Sequence, residues 1–117
     1  MSILRLLSGL LGRISPVSRY IVDGPSMEPA YRAGNRLIVN RLAYLRRPPA
    51  IGDVVVLRDP QDDARLLIKR VAPAPDGARP RQSRIWVLGD NAPESRDSRT
   101  FGFIDRRRIV GKAWLRY

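Results

Sequence analysis

The sequence predicts an all-β fold, a small barrel or sandwich preceded by one short amphipathic helix. Three observations lead there. Six runs rich in β-branched and aliphatic residues recur between residues 20 and 115. Turn residues punctuate them at Ala33-Gly34-Asn35, Pro48-Pro49, Ile51-Gly52-Asp53 and Gly89-Asp90-Asn91. Beyond residue 20 no second segment carries a strong helical pattern, so helices have no part in the predicted layers.

The first element is ILRLLSGLLGRI, residues 3–14. At helical spacing Ile3, Leu4, Leu6, Leu7, Leu10, Leu11 and Ile14 share one side, while Arg5, Ser8, Gly9, Gly12 and Arg13 share the other. Twelve helical residues reach about 18 Å, short of the roughly 30 Å hydrocarbon core of a bilayer, so the segment is not a spanning helix. Arg13 interrupts the apolar centre a secretory signal peptide needs. Two readings stay open, a helix lying on a membrane surface and a helix packed on the domain. Ser15-Pro16 ends it, which makes residues 1–19 a helix and linker and residues 20–117 the main domain. The strands follow as YIV (20–22), NRLIV (35–39), DVVVL (53–57), LLIKRV (66–71), RIWVL (84–88) and RIVGKAWL (108–115). Residues 72–84, APAPDGARPRQSR, read as a surface excursion.

Composition narrows the chemistry. At 117 residues the chain holds one domain with a modest core. It has no cysteine, which excludes disulfides and thiolate chemistry, and no histidine, which excludes an internal Ser-His-Asp triad and argues against zinc. The net charge of +11 is compatible with nucleic acid or an anionic membrane. Nearly all of the 22 basic residues are arginine, and the only lysines are Lys69 and Lys112. Where arginine is the default cation, a lysine can be present because it is able to lose its proton.

Two stretches can carry chemistry. In DGPSMEP (23–29), Pro25 and Pro29 stiffen the backbone and Gly24 permits a conformation or approach that a β-carbon blocks, so Ser26 sits outside regular helix. The plain alternative is a turn built from its usual residues. In LLIKRV, strand alternation puts Leu67, Lys69 and Val71 on one face and Leu66, Ile68 and Arg70 on the other. A lysine among aliphatic neighbours has its pKa lowered and can act as a base toward a serine hydroxyl. The plain alternative is a lysine guarding an edge strand.

Taken together, GPSMEP (24–29), NRLIVNR (35–41), GDVVVL (52–57), IKRV (68–71) and GDNAPESRDSRTFGFI (89–104) resemble the type I signal peptidases, serine proteases with a Ser/Lys dyad. The segments occur in that family's order and cover most of residues 20–115. The resemblance implies a signal-peptidase-like β-fold, Ser26 as nucleophile, Lys69 as general base, and the Ser26 amide as part of the oxyanion hole. It implies that Ser95 orients the amine, with Asp97 and Arg99 as a supporting ion pair and Arg70 nearby. Gly24 occupies the position where some members add a serine donor. Substrate would bind as an added strand, with Val22, Asp23, Gly24, Pro25 and Met27 on one side and Leu67 and Ile68 on the other. Asp23 and Tyr31 stand where neutral or smaller residues are common in the family.

The implied activity is endoproteolytic removal of an N-terminal extension or signal peptide from a precursor protein, requiring neither metal nor cofactor. Members usually carry a membrane anchor before the serine, and some have a large β-rich insertion. This sequence has only residues 3–14 and no such insertion. The expectation is therefore a cytoplasmic or peripheral membrane protein, with residues 3–14 as the segment that would meet lipid if the surface-helix reading holds. The pattern ESRDSRTFG (94–102) resembles the small nickel-type superoxide dismutase maturation proteases. General processing of secreted proteins is the alternative within the family. Outside it stand the self-cleaving repressors, which share the dyad but need a DNA-binding domain, and a basic β-barrel binding nucleic acid. The last would need aromatics interleaved with basic residues on a strand face, whereas the eight aromatics here are scattered.

Overall fold

The computed structural model describes residues 16–117, together with the backbone of residues 3–6. Seven antiparallel strands form one sheet: β1 (Ile3–Leu6), β2 (Val17–Asp23), β3 (Arg36–Asn40), β4 (Val54–Asp59), β5 (Asp62–Ala72), β6 (Trp86–Leu88) and β7 (Ile109–Arg116). Their order across the sheet is β1-β2-β3-β7-β4-β5-β6. All six predicted strands are present, and the all-β expectation holds. Among the described residues there are also one helical turn, α1 (Ser98–Phe101), and two 3₁₀ turns.

The beginning of the chain corrects the sequence reading. Ile3–Leu6, predicted as the first turn of a helix, pair antiparallel with β2 in the register Ile3↔Asp23 to Leu6↔Tyr20. The remainder of the predicted helix, residues 7–14, lies outside the described residues. A strand edge offers four residues a ready set of backbone partners, and short helical preferences are too weak to compete with that. β2 itself begins at Val17, inside the predicted linker.

The sheet is curled, with β1 lying close to β5 as well as paired to β2. Both faces of the central strands are covered. Val54 and Val56 of β4 and Ile68 of β5 join Tyr20, Val22, Met27, Leu37 and Val39 in one apolar layer. Val55 and Leu57 of β4 and Leu67 and Val71 of β5 join Ile85, Val87 and Ile104 in the other. That double burial is why β4 reads as an unbroken aliphatic run in the sequence rather than an alternating one. β5 pairs with β4 along Leu66–Arg70 but with β6 only over Arg70–Ala72. Lys69 pairs with Val55 of β4 and lies on the side of Leu67 and Val71, as alternation requires.

Candidate active site

β2 delivers the chain to Gly24, whose φ of 88° is the left-handed conformation that favours glycine. The chain then turns through Pro25 and Ser26, with the Glu28 amide donating to Pro25 O at 3.1 Å and the Tyr31 amide to Met27 O at 2.9 Å. The turn is held from behind by Gly89-Asp90-Asn91. The Asn91 amide donates to Ser26 O at 2.8 Å and Asn91 Nδ2 to Pro25 O at 3.1 Å, while the Asp90 amide points at Met27 Sδ at 3.5 Å. Gly89 passes so close that a Cβ there would lie 2.0 Å from Ser95 Oγ and 2.8 Å from Ser26 O.

Across this turn Lys69 Nζ donates to Ser26 Oγ at 3.0 Å. Both side chains are fully enclosed. Burial is the dominant influence on the Lys69 amine and brings its pKa from the ordinary 10.5 to about 8. Asp97 opposes that shift, Arg96 assists it, Asp59 opposes it and Arg99 assists it. An amine near pH 8 held at this distance from a hydroxyl can exchange a proton with it.

Asp97 is the hub beside the amine. Its buried carboxylate accepts from the Gly89 amide at 2.8 Å, Ser95 Oγ at 2.8 Å, and Arg99 Nε and Nη2 at 2.9 and 2.8 Å. Burial alone would raise its pKa, but the bonds from Arg99, Gly89 and Ser95 outweigh it and bring the value down to about 2. The expected Asp97–Arg99 pair is therefore present.

Ser95 donates its hydroxyl proton to Asp97, while the Lys69 amine bonds Ser26. One expectation needs correction. Arg70 is not beside the Asp97–Arg99 pair. Strand alternation turns it to the opposite face, where Nε and Nη2 bond Asp90 at 2.9 Å each and Nη1 bonds Gly52 O at 3.0 Å.

Of the residues expected to line a substrate, Val22, Met27, Leu67 and Ile68 have their side chains in the cores, which leaves backbone as what they can offer. Asp23 is exposed, and Gly24 and Pro25 are partly so. The edge of β2 over Tyr20–Asp23 is occupied by β1. Sequence reasoning passed over Gly89 and Asn91 as site residues, although the GDN segment that contains them was the available signal. It also passed over Asp59 and Arg96. Among the described residues no group of three or more His, Cys, Asp or Glu could hold a metal ion.

The family model for signal peptidase, peptidase S26, matches residues 1–79 and 80–117. The chain belongs to this family. It is similar to the probable signal peptidase I-1 of Synechocystis sp., at 27% identity over 96% of this chain and 76% of the relative. Similarity extends to mitochondrial ATP-independent inner membrane protease subunit 1a of Arabidopsis thaliana, at 32% over 86% and 70%. Signal peptidase I of Bacillus caldolyticus matches at 29% over 90% and 81%. As an S26 family member the chain is a hydrolase of signal-peptidase type, for which precursor proteins are the general class of partner. Among the described residues of this S26 protein no helix is long and apolar enough to cross a membrane.

Proposed function

We propose that this protein is a serine endopeptidase with a Ser26/Lys69 dyad, which removes an N-terminal extension from a precursor protein. The reading is carried by one observation, the 3.0 Å approach of Lys69 Nζ to Ser26 Oγ with both side chains fully buried. Neutral Lys69 takes the proton of Ser26 as Oγ attacks the scissile carbonyl. The Ser26 amide donates to the oxyanion that forms. The Lys69 ammonium then protonates the leaving amine, and the neutral amine activates the water that releases the acyl group. Asp97, through Ser95 and Gly89, keeps the wall behind the nucleophile in register.

The substrate adds as a strand between the Val22–Met27 segment and Leu67–Ile68 of β5. Because β1 pairs with β2 at that edge, it gives way when a substrate strand enters. The ESRDSRTFG pattern supports a narrower reading, maturation of a nickel-type superoxide dismutase. Co-expression with such a precursor, followed by sequencing of its amino terminus, tests both levels. The expected result is a defined cut that Ser26→Ala and Lys69→Ala each abolish while the fold persists by circular dichroism. Cleavage of secretory precursors but not of the dismutase retains the dyad and removes the narrower reading. Wild-type cleavage by Lys69→Ala at pH 7–8 refutes the dyad.

A further inference from the structure

Arg96 occupies the position that the S-x-D-S-R motif leaves open, directly between Ser95 and Asp97. Its side chain does not join the Asp97–Arg99 pair. It crosses instead to the end of β4, where Nη2 is paired with Asp59 and Nη1 donates to Gln61 Oε1 at 2.6 Å. The guanidinium also lies over the Phe101 ring, 5.6 Å from its centroid. Asp59 is an unusual partner, because it is 1% exposed and carries a charge at the end of an apolar strand. Its Oδ1 accepts from the Gln61 amide at 2.9 Å and its carbonyl accepts from Arg108 Nη1 at 3.4 Å. A buried carboxylate is retained only where its partners are fixed, since leaving it unpaired is costly.

We infer that Arg96 and Asp59 are a positioning pair for Lys69, clamping the segment that carries Ser95 and Asp97 onto the β4–β5 hairpin that carries the amine. The inference rests on the dyad reading and deepens it. Ser95–Asp97 and Lys69 belong to separate parts of the chain; besides this clamp, the bonds from the Gly89 amide to Asp97 and from the Val87 amide to Ser98 Oγ tie the segment to β6, which pairs with β5. The pair also acts electrostatically. The charged groups bearing on Lys69 are Asp97, Arg96, Asp59 and Arg99, with Asp97 and Arg99 neutralising one another as an ion pair and Arg96 and Asp59 doing the same. Removing one member of the second pair leaves the other's charge uncompensated beside the amine, so the two deletions act with opposite sign.

The chain's two lysines make this measurable without catalysis. With lysine 13C-labelled at Cε, the protein gives two lysine resonances, and Lys112, paired with Asp53, serves as the internal control. Asp59→Asn, which is nearly isosteric, is expected to lower the Lys69 titration midpoint by on the order of half a pH unit. Arg96→Met is expected to raise it by a similar amount, and the double variant to return close to the wild-type midpoint. Lys112 should not move in any of them. In the cleavage assay, each single variant should lose roughly tenfold in kcat with little change in KM, as loss of positioning without loss of binding requires. Midpoints that shift in the same direction, or stay still in both variants, overturn the inference. Should Arg96→Met fail to fold, Asp59→Asn decides alone, and an unmoved or raised midpoint overturns it. Because the titration is read by resonance, a chain that cleaves nothing would refute the peptidase reading and still leave this test intact.

Discussion

An ammonium at Lys69 has Leu67 and Val71 beside it on the strand and no exposed surface, and this enclosure is what holds its pKa near 8. The proposed base is competent only when neutral, so kcat/KM should rise about tenfold per pH unit below pH 8 and level off above it. A profile flat down to pH 5 would remove Lys69 as the base. Gly89 is the other residue whose identity is dictated locally. A methyl group there meets Ser95 Oγ and the Ser26 carbonyl, and the carbonyl is backbone that cannot swing aside. Gly89→Ala should therefore lower stability by about 1–3 kcal/mol and cut cleavage at least a hundredfold, read by thermal denaturation and a peptide assay.

At the scale of elements, the pairing of β1 with β2 bears most directly on function. β1 runs along Tyr20–Asp23 and beside β5, the two borders between which a substrate strand is proposed to enter. It therefore competes with substrate for the same backbone groups. Leu4→Pro with Arg5→Pro removes amide donors at consecutive positions, one from each side of the strand, and should release the edge. The expected outcome is a KM several-fold lower with kcat unchanged. A KM that stays the same or rises would mean that β1 and the substrate do not share the edge. The helix predicted for residues 3–14 gave no warning of this, because periodicity reports which face is apolar and says nothing about an unpaired strand edge elsewhere in the fold.

For the molecule as a whole, the buried amine is a standing cost. A pKa lowered from 10.5 to about 8 penalises the folded state by about 3 kcal/mol where the folded and the unfolded chain both keep the proton. That penalty is complete below the folded pKa and is relieved as pH rises from about 8 toward 10.5. Lys69→Met removes it and forfeits one hydrogen bond to Ser26, worth about 1 kcal/mol, for a net gain of roughly 2 kcal/mol at pH 7. The variant should melt several degrees higher and be inactive, with the advantage shrinking as pH approaches 10. An equal advantage at pH 7 and pH 9.5 would contradict the assignment of the cost to this amine.

Much of this was readable in advance. The aliphatic runs located six strands because burial on a sheet demands those residue types. Strand alternation alone separated Lys69 from Arg70 and put them on opposite faces, which the Arg70–Asp90 pair and the enclosed Lys69 bear out. The Pro and Gly around Ser26 declared a turn, and the ordered motifs declared the family. What the chain could not declare was which distant charges meet. Arg96 and Asp59 are 37 residues apart, and nothing local distinguishes them from solvated surface ions. Ser95 bonding Asp97, and β1 taking the edge of β2, were equally invisible. Local composition determines how a residue tends to lie, but a buried ion pair or a strand edge takes its partner from whatever the folded sheet brings alongside, and only the tertiary structure decides that.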